Sequence, residues 1–448
     1  MNRIPVQAEM GWGRARTKAP DEPRIRLRDI LPPIAAVIAL ALAHVVYGAV
    51  QPIASLSLAA VFTVIAIASI LAAGPRHATI GMMAGAGVIA LYALTGLAGP
   101  LHRSAAPLAV MFAAGALWTI AYIASRHRRA LDIAWETLTW SSIAYCFWMF
   151  AMNVSLVPSG EQFILNAFET PANASVLFGL FAIIGMSKIL HIIKQMDAEA
   201  LARAHMVDRM LRQGLSSILL LGISLTCLSL TGSQPGFIMV AAVLVGLMWW
   251  DTLAISTREH RGLPMRLASI VAPIVAIGLA GWGISLVWLN DETVSQGLGA
   301  TDMLPNAQRI EAYMGAWMNS PIFGHGLGSV NAEGDKAMTL FNAKAMLAPG
   351  EAHNVFITWL VETGIVGLSL LVLFVGSMYA RIIAALRSRR TPRTFLRLAV
   401  AAGVFLLLHG VTDSSLDLPS AVWLYALLLG AACGVATGRR LQPQADEE

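Results

Sequence analysis

Residues 53–73 read IASLSLAAVFTVIAIASILAA, an uncharged stretch as long as a membrane-spanning helix. The hydrocarbon core of a bilayer is about 30 Å thick, and a helix needs about 20 apolar residues to cross it. An uninterrupted apolar run of this length is typical of a transmembrane helix and not of a soluble core. The stretch therefore predicts that this part of the chain crosses a membrane.

The rest of the chain has the same character. Of its 448 residues, 57% are hydrophobic and only 13% are charged, with a mean hydropathy of +0.66. This is too apolar for a soluble protein of ordinary composition. The sequence predicts an all-α, polytopic membrane bundle of about 12 helices. The predicted spans are 32–50, 53–73, 78–98, 105–125, 134–152, 173–193, 214–232, 236–255, 268–289, 354–379, 398–415 and 419–437.

The distribution of basic residues predicts the orientation. Residues 1–31 are too long and too polar for a cleaved signal peptide and are interpreted as a disordered cytoplasmic tail. With this tail inside, 27 of the 31 Lys and Arg residues lie on the cytoplasmic side, as the positive-inside rule requires. The formal charge of +5 thus reflects membrane orientation, and no nucleic-acid partner is predicted. We expect a bacterial inner-membrane protein whose termini, including residues 438–448, are both cytoplasmic.

Several chemistries are disfavoured by what the sequence lacks. Cys146, Cys227 and Cys433 all lie in apolar runs without a CxxC motif, which indicates neither disulfides nor a thiolate metal site. There is no Walker A loop, no DxD pair and no HExxH motif. A nucleotide-driven pump or a nucleotide-sugar enzyme is therefore disfavoured, and neither a cofactor nor a metal is predicted.

One long external loop, residues 290–352, separates the first nine predicted spans (32–289) from the last three (353–437). It carries Arg309, Lys336 and Lys344, three of the four basic residues predicted to face outward; the fourth is Arg103. An amphipathic helical stretch, a Ser-Pro break and a glycine-rich turn follow one another within it. A long loop in a compact bundle is more often functional than idle. This loop is the predicted functional face.

Two features of the loop suit an anionic ligand. Arg309 carries a guanidinium whose donors match a phosphate or diphosphate, although spacing alone favours a simpler pairing with Glu311, Glu333 or a lipid headgroup. Gly324, Gly326 and Gly328 alternate in a turn that could bring N–H groups towards an anion. A plain loop with a solvated His325 is the alternative.

Ionisable residues also occur where chain segments meet the outer face. His353 opens the tenth span and could remove a proton from a sugar hydroxyl, or simply lie at the headgroup level. Glu362 lies nine residues further on, near the opposite helix face. His409, Asp413 and Asp417 share one helix face by i, i+4 spacing. A structural His–Asp pair that fixes helix packing is as reasonable there as a catalytic one.

In their order along the chain, these motifs resemble the O-antigen ligase and polymerase superfamily over residues of about 306–430. The shared pattern is Arg309; Pro321 with Gly324 and Gly326; His353-Asn354; Glu362 with Gly364 and Gly367; and His409 with Asp413 and Pro419.

The resemblance implies metal-independent transfer of a glycan from undecaprenyl diphosphate to an acceptor hydroxyl at the periplasmic face. Arg309 would bind the diphosphate and His353 would act on the hydroxyl, with Asn354, Glu362, His409, Asp413 and the turn glycines completing the substrate site. Gln234 stands where the family often has a second diphosphate-binding arginine. An amide donates a hydrogen bond but cannot neutralise charge, so Arg103, Lys336 or Lys344 would have to supply the charge, or activity is altered or lost.

The resemblance favours a polymerase of exopolysaccharide or O-antigen repeat units. Its rival is a ligase that passes finished glycan to the lipid A core of lipopolysaccharide. A flippase and a chain-length regulator would be partners of the polymerase. A transporter of lipid-linked oligosaccharide and a non-catalytic scaffold of the cell-envelope synthesis machinery are the alternatives outside the enzyme class.

Overall fold

The computed structural model describes residues 27–46, 51–73, 101–156, 168, 170–198, 203–256, 303–346, 354–387, 393–412 and 418–438. Within these ranges the regular structure is helical and no strand occurs, which confirms the predicted all-α class. The predicted spans 78–98 and 268–289 lie outside the described residues, as do His353, Asp413 and Asp417.

The helices follow the apolar runs. The part before the long loop contains α1 (Leu27–Val45), α2 (Pro52–Ala73), α3 (Leu101–Ala124), α4 (Arg128–Leu156), α5 (Pro171–Ala198), α6 (Arg203–Leu230) and α7 (Gln234–Ser256). The described part of the long loop contains α8 (Met303–Asn319), α9 (Val330–Ala337) and α10 (Ala343–Met346). After it come α11 (Val355–Arg387), α12 (Arg393–Thr412) and α13 (Pro419–Gly438).

Seven of the described helices are long and apolar enough to cross a membrane, namely α1, α2, α3, α5, α11, α12 and α13. This is the composition of a multi-pass membrane protein, as predicted.

The beginning of the first helix differs from the prediction. Helix α1 begins at Leu27, before the predicted end of the tail at residue 31. The helix continues through Pro32 and Pro33, which lack the N–H groups that would donate to the first turn.

Two packing units organise the core. In the first, α3 lies against α2 and α13, where the buried Trp423 donates from Nε1 to the carbonyl of Val110 at 3.0 Å. The ring of Phe62 packs edge-on against Trp423 at 5.3 Å. In the second, α5 packs against α6, α7 and α12. Because α5 is surrounded in this way, polar side chains at its ends can contact residues of several neighbouring helices.

Candidate functional site

The centre of the site is a break in α11. Gly364 has φ 63° and ψ −172°, outside the helical region, so the helix hydrogen bonds that would cross this point are not made. An unbroken helix would pair the N–H groups of Ile365 and Val366 with the carbonyls of Val361 and Glu362. The break leaves these four groups without helical partners.

The turn between α8 and α9 supplies partners for all four groups. His325 N–H donates to Val361 O at 2.8 Å, and Gly326 N–H donates to Glu362 O at 2.9 Å. In the opposite direction, the N–H groups of residues 365 and 366 donate to the carbonyls of Pro321 and Ile322, at 2.9 and 3.2 Å. Unpaired backbone groups would be costly in an apolar setting, so the turn and the helix break stabilise each other.

Glycine is required on both sides of this junction. Gly324 has φ 70° and Gly364 φ 63°, and a Cβ atom on Gly324 would collide with the Glu362 carbonyl. A Cβ atom on Gly364 would collide with the carbonyl of Ile322. The two backbones are therefore in contact, and this junction fixes the turn between α8 and α9 onto α11.

The turn N–H groups proposed from the sequence to face an anion are used within the protein. Gly324 N–H donates to Ser320 O at 3.0 Å, and Gly326 N–H is one of the junction bonds described above. Gly328 N–H donates to the Glu362 carboxylate at 2.9 Å. In this arrangement the glycines shape the turn, and Glu362, which is 9% exposed, anchors it.

Arg309 lies on the face of α8 that packs against α11. It is 3% exposed, and Tyr313, one turn further on, clusters with Ile357 and Val361 of α11. Four helical residues span about 6 Å along the axis. Since the last residues of α8 approach the break in α11, Arg309 lies level with the first turn of α11. A guanidinium held this deeply is costly unless a charge or hydrogen-bond partner engages it.

Asn354 joins the beginning of α11 to the end of α12. Its Oδ1 accepts from the N–H groups of Phe356 at 2.9 Å and Ile357 at 3.2 Å, which caps α11. Its Nδ2 donates to Val411 O at 3.0 Å. Asn354, the residue after His353, thus holds the beginning of α11 to the end of α12. Its contact on α12 is Val411, two residues after His409.

We expect Asn354→Ala to lower the free energy of unfolding by about 1 kcal/mol, because it removes the cap of α11. The thermal unfolding midpoint of the detergent-purified protein measures this loss. Asn354→Ser is the matched control, since serine is also a preferred capping residue, adds no charge and loses the amide donor to Val411. Equal stability of the alanine variant and the wild type would contradict the assigned capping role.

His409 is fixed by a serine that the sequence analysis did not single out. Its Nε2 lies 2.9 Å from Ser175 Oγ, and the imidazole is 1% exposed. Because the Ser175 hydroxyl donates its proton to Ala172 O at 2.8 Å, the His409 Nε2–H is the donor to Ser175. A serine in an apolar helix carries no sequence signal for such a role.

The same contact brings the beginning of α7 into the site. Gly236 lies against the Ser175 side chain, and the α7 backbone begins two residues earlier, at Gln234. The side chain of Gln234 is outside what the structure describes. At the other edge, Ser104 Oγ on α3 donates to Leu327 O of the turn at 3.0 Å. The beginnings of α3, α5, α7 and α11 and the end of α12 therefore meet at one end of the bundle, beneath the α8–α10 segment.

Helices of this length and composition define a multi-pass membrane protein, and the α8–α10 segment covers one end of its described bundle. Residues 218–372, about a third of the chain, match the model of a family described as O-antigen ligase. The match confirms the resemblance predicted from the sequence and indicates a lipid-linked glycan transferase. It spans Gln234, Arg309, the turn and Glu362, and ends before His409. No curated protein matches the chain.

Proposed function

We propose that this protein is a glycosyltransferase of the bacterial inner membrane that polymerises undecaprenyl-diphosphate-linked repeat units at the periplasmic face. The observation that carries the proposal is Arg309, a guanidinium 3% exposed and level with the first turn of α11. Such a group suits a diphosphate, whose charge it can neutralise and whose oxygens it can bind in pairs. The family match supports the same class of reaction.

In the proposed reaction an acceptor hydroxyl attacks the anomeric carbon of the donor glycan. The new glycosidic C–O bond forms as the bond between that carbon and the diphosphate oxygen breaks, and undecaprenyl diphosphate leaves. His353 takes the proton of the attacking hydroxyl, and Arg309 stabilises the negative charge on the leaving group. A diphosphate is already a good leaving group, so charge stabilisation and one base suffice.

The other residues of the site have supporting roles in this proposal. Asn354 sets the position of the chain next to His353, through its bonds to α11 and α12. Glu362, Gly324 and Gly326 hold α8, and hence Arg309, against α11. His409 is 1% exposed and donates to Ser175, so its role in this proposal is to fix α12 against α5. Asp413 and Gln234 remain the polar substrate contacts that the family resemblance implies. Because Gln234 is uncharged, Arg309 is the main source of positive charge for the diphosphate in this proposal.

We expect Arg309→Lys to reduce glycan transfer by roughly tenfold, because lysine keeps the charge but loses the planar fork of donors. The measurement is the rate of product formation at varied donor concentration. Arg128→Lys, at an exposed position on the opposite end of the bundle, is the control. Rates equal to those of the wild type at every donor concentration would refute the diphosphate role.

The family description favours one second candidate, an O-antigen ligase that transfers the glycan to the lipid A core. Its donor and its bond-making step are the same, and only the acceptor differs. A polymerase would have the flippase and the chain-length regulator as partners, whereas a ligase would act after them.

A transporter fits the helix break less well. Broken helices in transporters supply substrate sites near the bilayer midplane. Gly364 is the tenth of the 33 residues of α11, and the 23 residues that follow it are long enough to cross a bilayer of about 30 Å. This favours a break at the membrane surface and argues for chemistry there.

The deciding experiment uses purified protein in liposomes with a defined undecaprenyl-diphosphate oligosaccharide and no added metal. A ladder of longer lipid-linked glycans supports the polymerase. Product only when lipid A core is added supports the ligase. Absence of transfer to either acceptor, with movement of the lipid-linked oligosaccharide across the bilayer, would refute the enzyme and favour the transporter.

A further inference from the structure

A cavity of about 540 Å³ lies between α8 and the α9–α10 segment. Its size is within the range of about 300–1,000 Å³ for small-molecule sites. The lining residues on which the argument depends are Gln308, Asn319, Glu333, Lys336, Phe341 and Asn342.

This cavity is separate from the face that holds Arg309. Successive residues of a helix are 100° apart, so Gln308 and Arg309 point to different sides of α8. Gln308 and Asn319 line the cavity, whereas Arg309 and Tyr313 are buried on the face towards α11. A ligand in this cavity would thus lie beside the proposed diphosphate site and extend along α8 away from it.

The charges of the lining do not suit a phosphate. Lys336 Nζ lies 2.6 Å from the Glu333 carboxylate, which neutralises it, and His325 Nδ1 lies 3.8 Å from the same carboxylate. Glu311 adds a second carboxylate to the lining. An anion would meet repulsion here, whereas neutral or amine-bearing groups would not.

The remaining groups suit a sugar. The amides of Gln308 and Asn319 each both donate and accept, which matches neighbouring hydroxyl groups. Phe341 is 93% exposed and can cover the apolar face of a sugar ring. Asn342 holds the turn that presents it, accepting from Thr339 N–H at 2.6 Å and donating to Ala337 O at 3.0 Å. An exposed aromatic ring on an ordered turn loses little entropy when a ligand covers it.

We infer that this cavity binds an uncharged or amino-sugar-containing oligosaccharide segment of the substrate, remote from the bond that reacts. The inference rests on the proposed function, because only a glycan substrate would place such a segment beside Arg309. The cavity would then select substrates by their sugar sequence. This selection site is separate from the residues that carry out transfer.

The test measures binding without transfer. The probe is the oligosaccharide mixture released by partial acid hydrolysis from the source bacterium's surface polysaccharide, added to full-length protein in detergent. Saturation-transfer NMR and calorimetry should show saturable binding to the wild type. Phe341→Ala and Asn319→Ala should each weaken it by roughly threefold to tenfold. Leu340→Ala is the matched control, since Leu340 is 97% exposed and does not line the cavity.

Inorganic diphosphate should not displace the probe; displacement would mark an anion site and overturn the inference. Absence of binding to the wild type, or equal loss in the Leu340 and Phe341 variants, would also overturn it. If the wild type binds the probe through Phe341 but transfers no glycan, the sugar site stands and the proposed enzyme fails. Unchanged thermal midpoints of the variants would show that the loss is not one of folding.

Discussion

Replacing His353 with alanine is expected to lower the turnover of glycan transfer by roughly 10²–10⁴-fold, the usual contribution of a general base. The binding of the lipid-linked donor should change little, because the diphosphate is assigned to Arg309. The measurement is the rate at saturating donor in liposomes, together with the concentration that gives half the maximal rate. A loss confined to donor affinity would contradict the assigned role.

The pH profile distinguishes a base from a structural histidine. An imidazole with an ordinary pKa of about 6.5 is neutral, and able to accept a proton, only above that value. The rate of the wild type should therefore fall on acidification, as the imidazole becomes protonated, and the residual rate of His353→Ala should lack that dependence. His127→Ala, at an exposed position between α3 and α4, is the control.

Gly364→Ala is expected to lower the free energy of unfolding by at least about 2 kcal/mol. At φ 63° and ψ −172° the backbone is in a region that essentially only glycine adopts and that costs another residue about 1–3 kcal/mol, and the collision of the new Cβ with the Ile322 carbonyl adds to this. Transfer activity should be lost as well, because the turn that holds α8 can no longer reach the break. Thermal inactivation in detergent and the susceptibility of the outer loop to protease measure the two effects.

Gly376→Ala is the matched control for this substitution. Gly376 lies in the same helix, and a Cβ atom added there meets no other atom within 4 Å. In a helix interior, alanine is more favourable than glycine by about 0.8–1.0 kcal/mol of folding free energy. This variant should therefore be no less stable than the wild type. If both substitutions had the same effect, the junction would not have the importance assigned to it.

The helices could be predicted from the sequence because the bilayer leaves few choices. An apolar stretch such as residues 53–73 must bury its backbone groups in a helix, and α2 occupies Pro52–Ala73. The amphipathic stretch before the Ser-Pro break likewise forms α8, which ends at Asn319. For these two segments, the hydropathy pattern and the apolar or aqueous surroundings both favour a helix.

The interior of the site could not be predicted in this way. The bonds between residues 321–326 and α11 join backbone groups, which are the same in every residue, so only the glycines hint at them. The alternating glycines were compatible with an anion site as well as with a plain loop, and their N–H groups donate within the protein. His409 was considered with Asp413 because of helical spacing, and the described partner is Ser175, 234 residues away in the chain.

The junction at Gly364 also has a consequence for how the chain is assembled. The turn at residues 320–328 precedes α11 in the chain and is synthesised before it. In the orientation predicted from the basic residues, the turn has to cross the membrane before α11 inserts. Until it docks, four backbone groups of α11 lack their partners at the membrane surface. Substitutions in this turn should therefore reduce the amount of protein that reaches the membrane correctly inserted, and a survey based on cellular activity alone would mistake that for a catalytic defect.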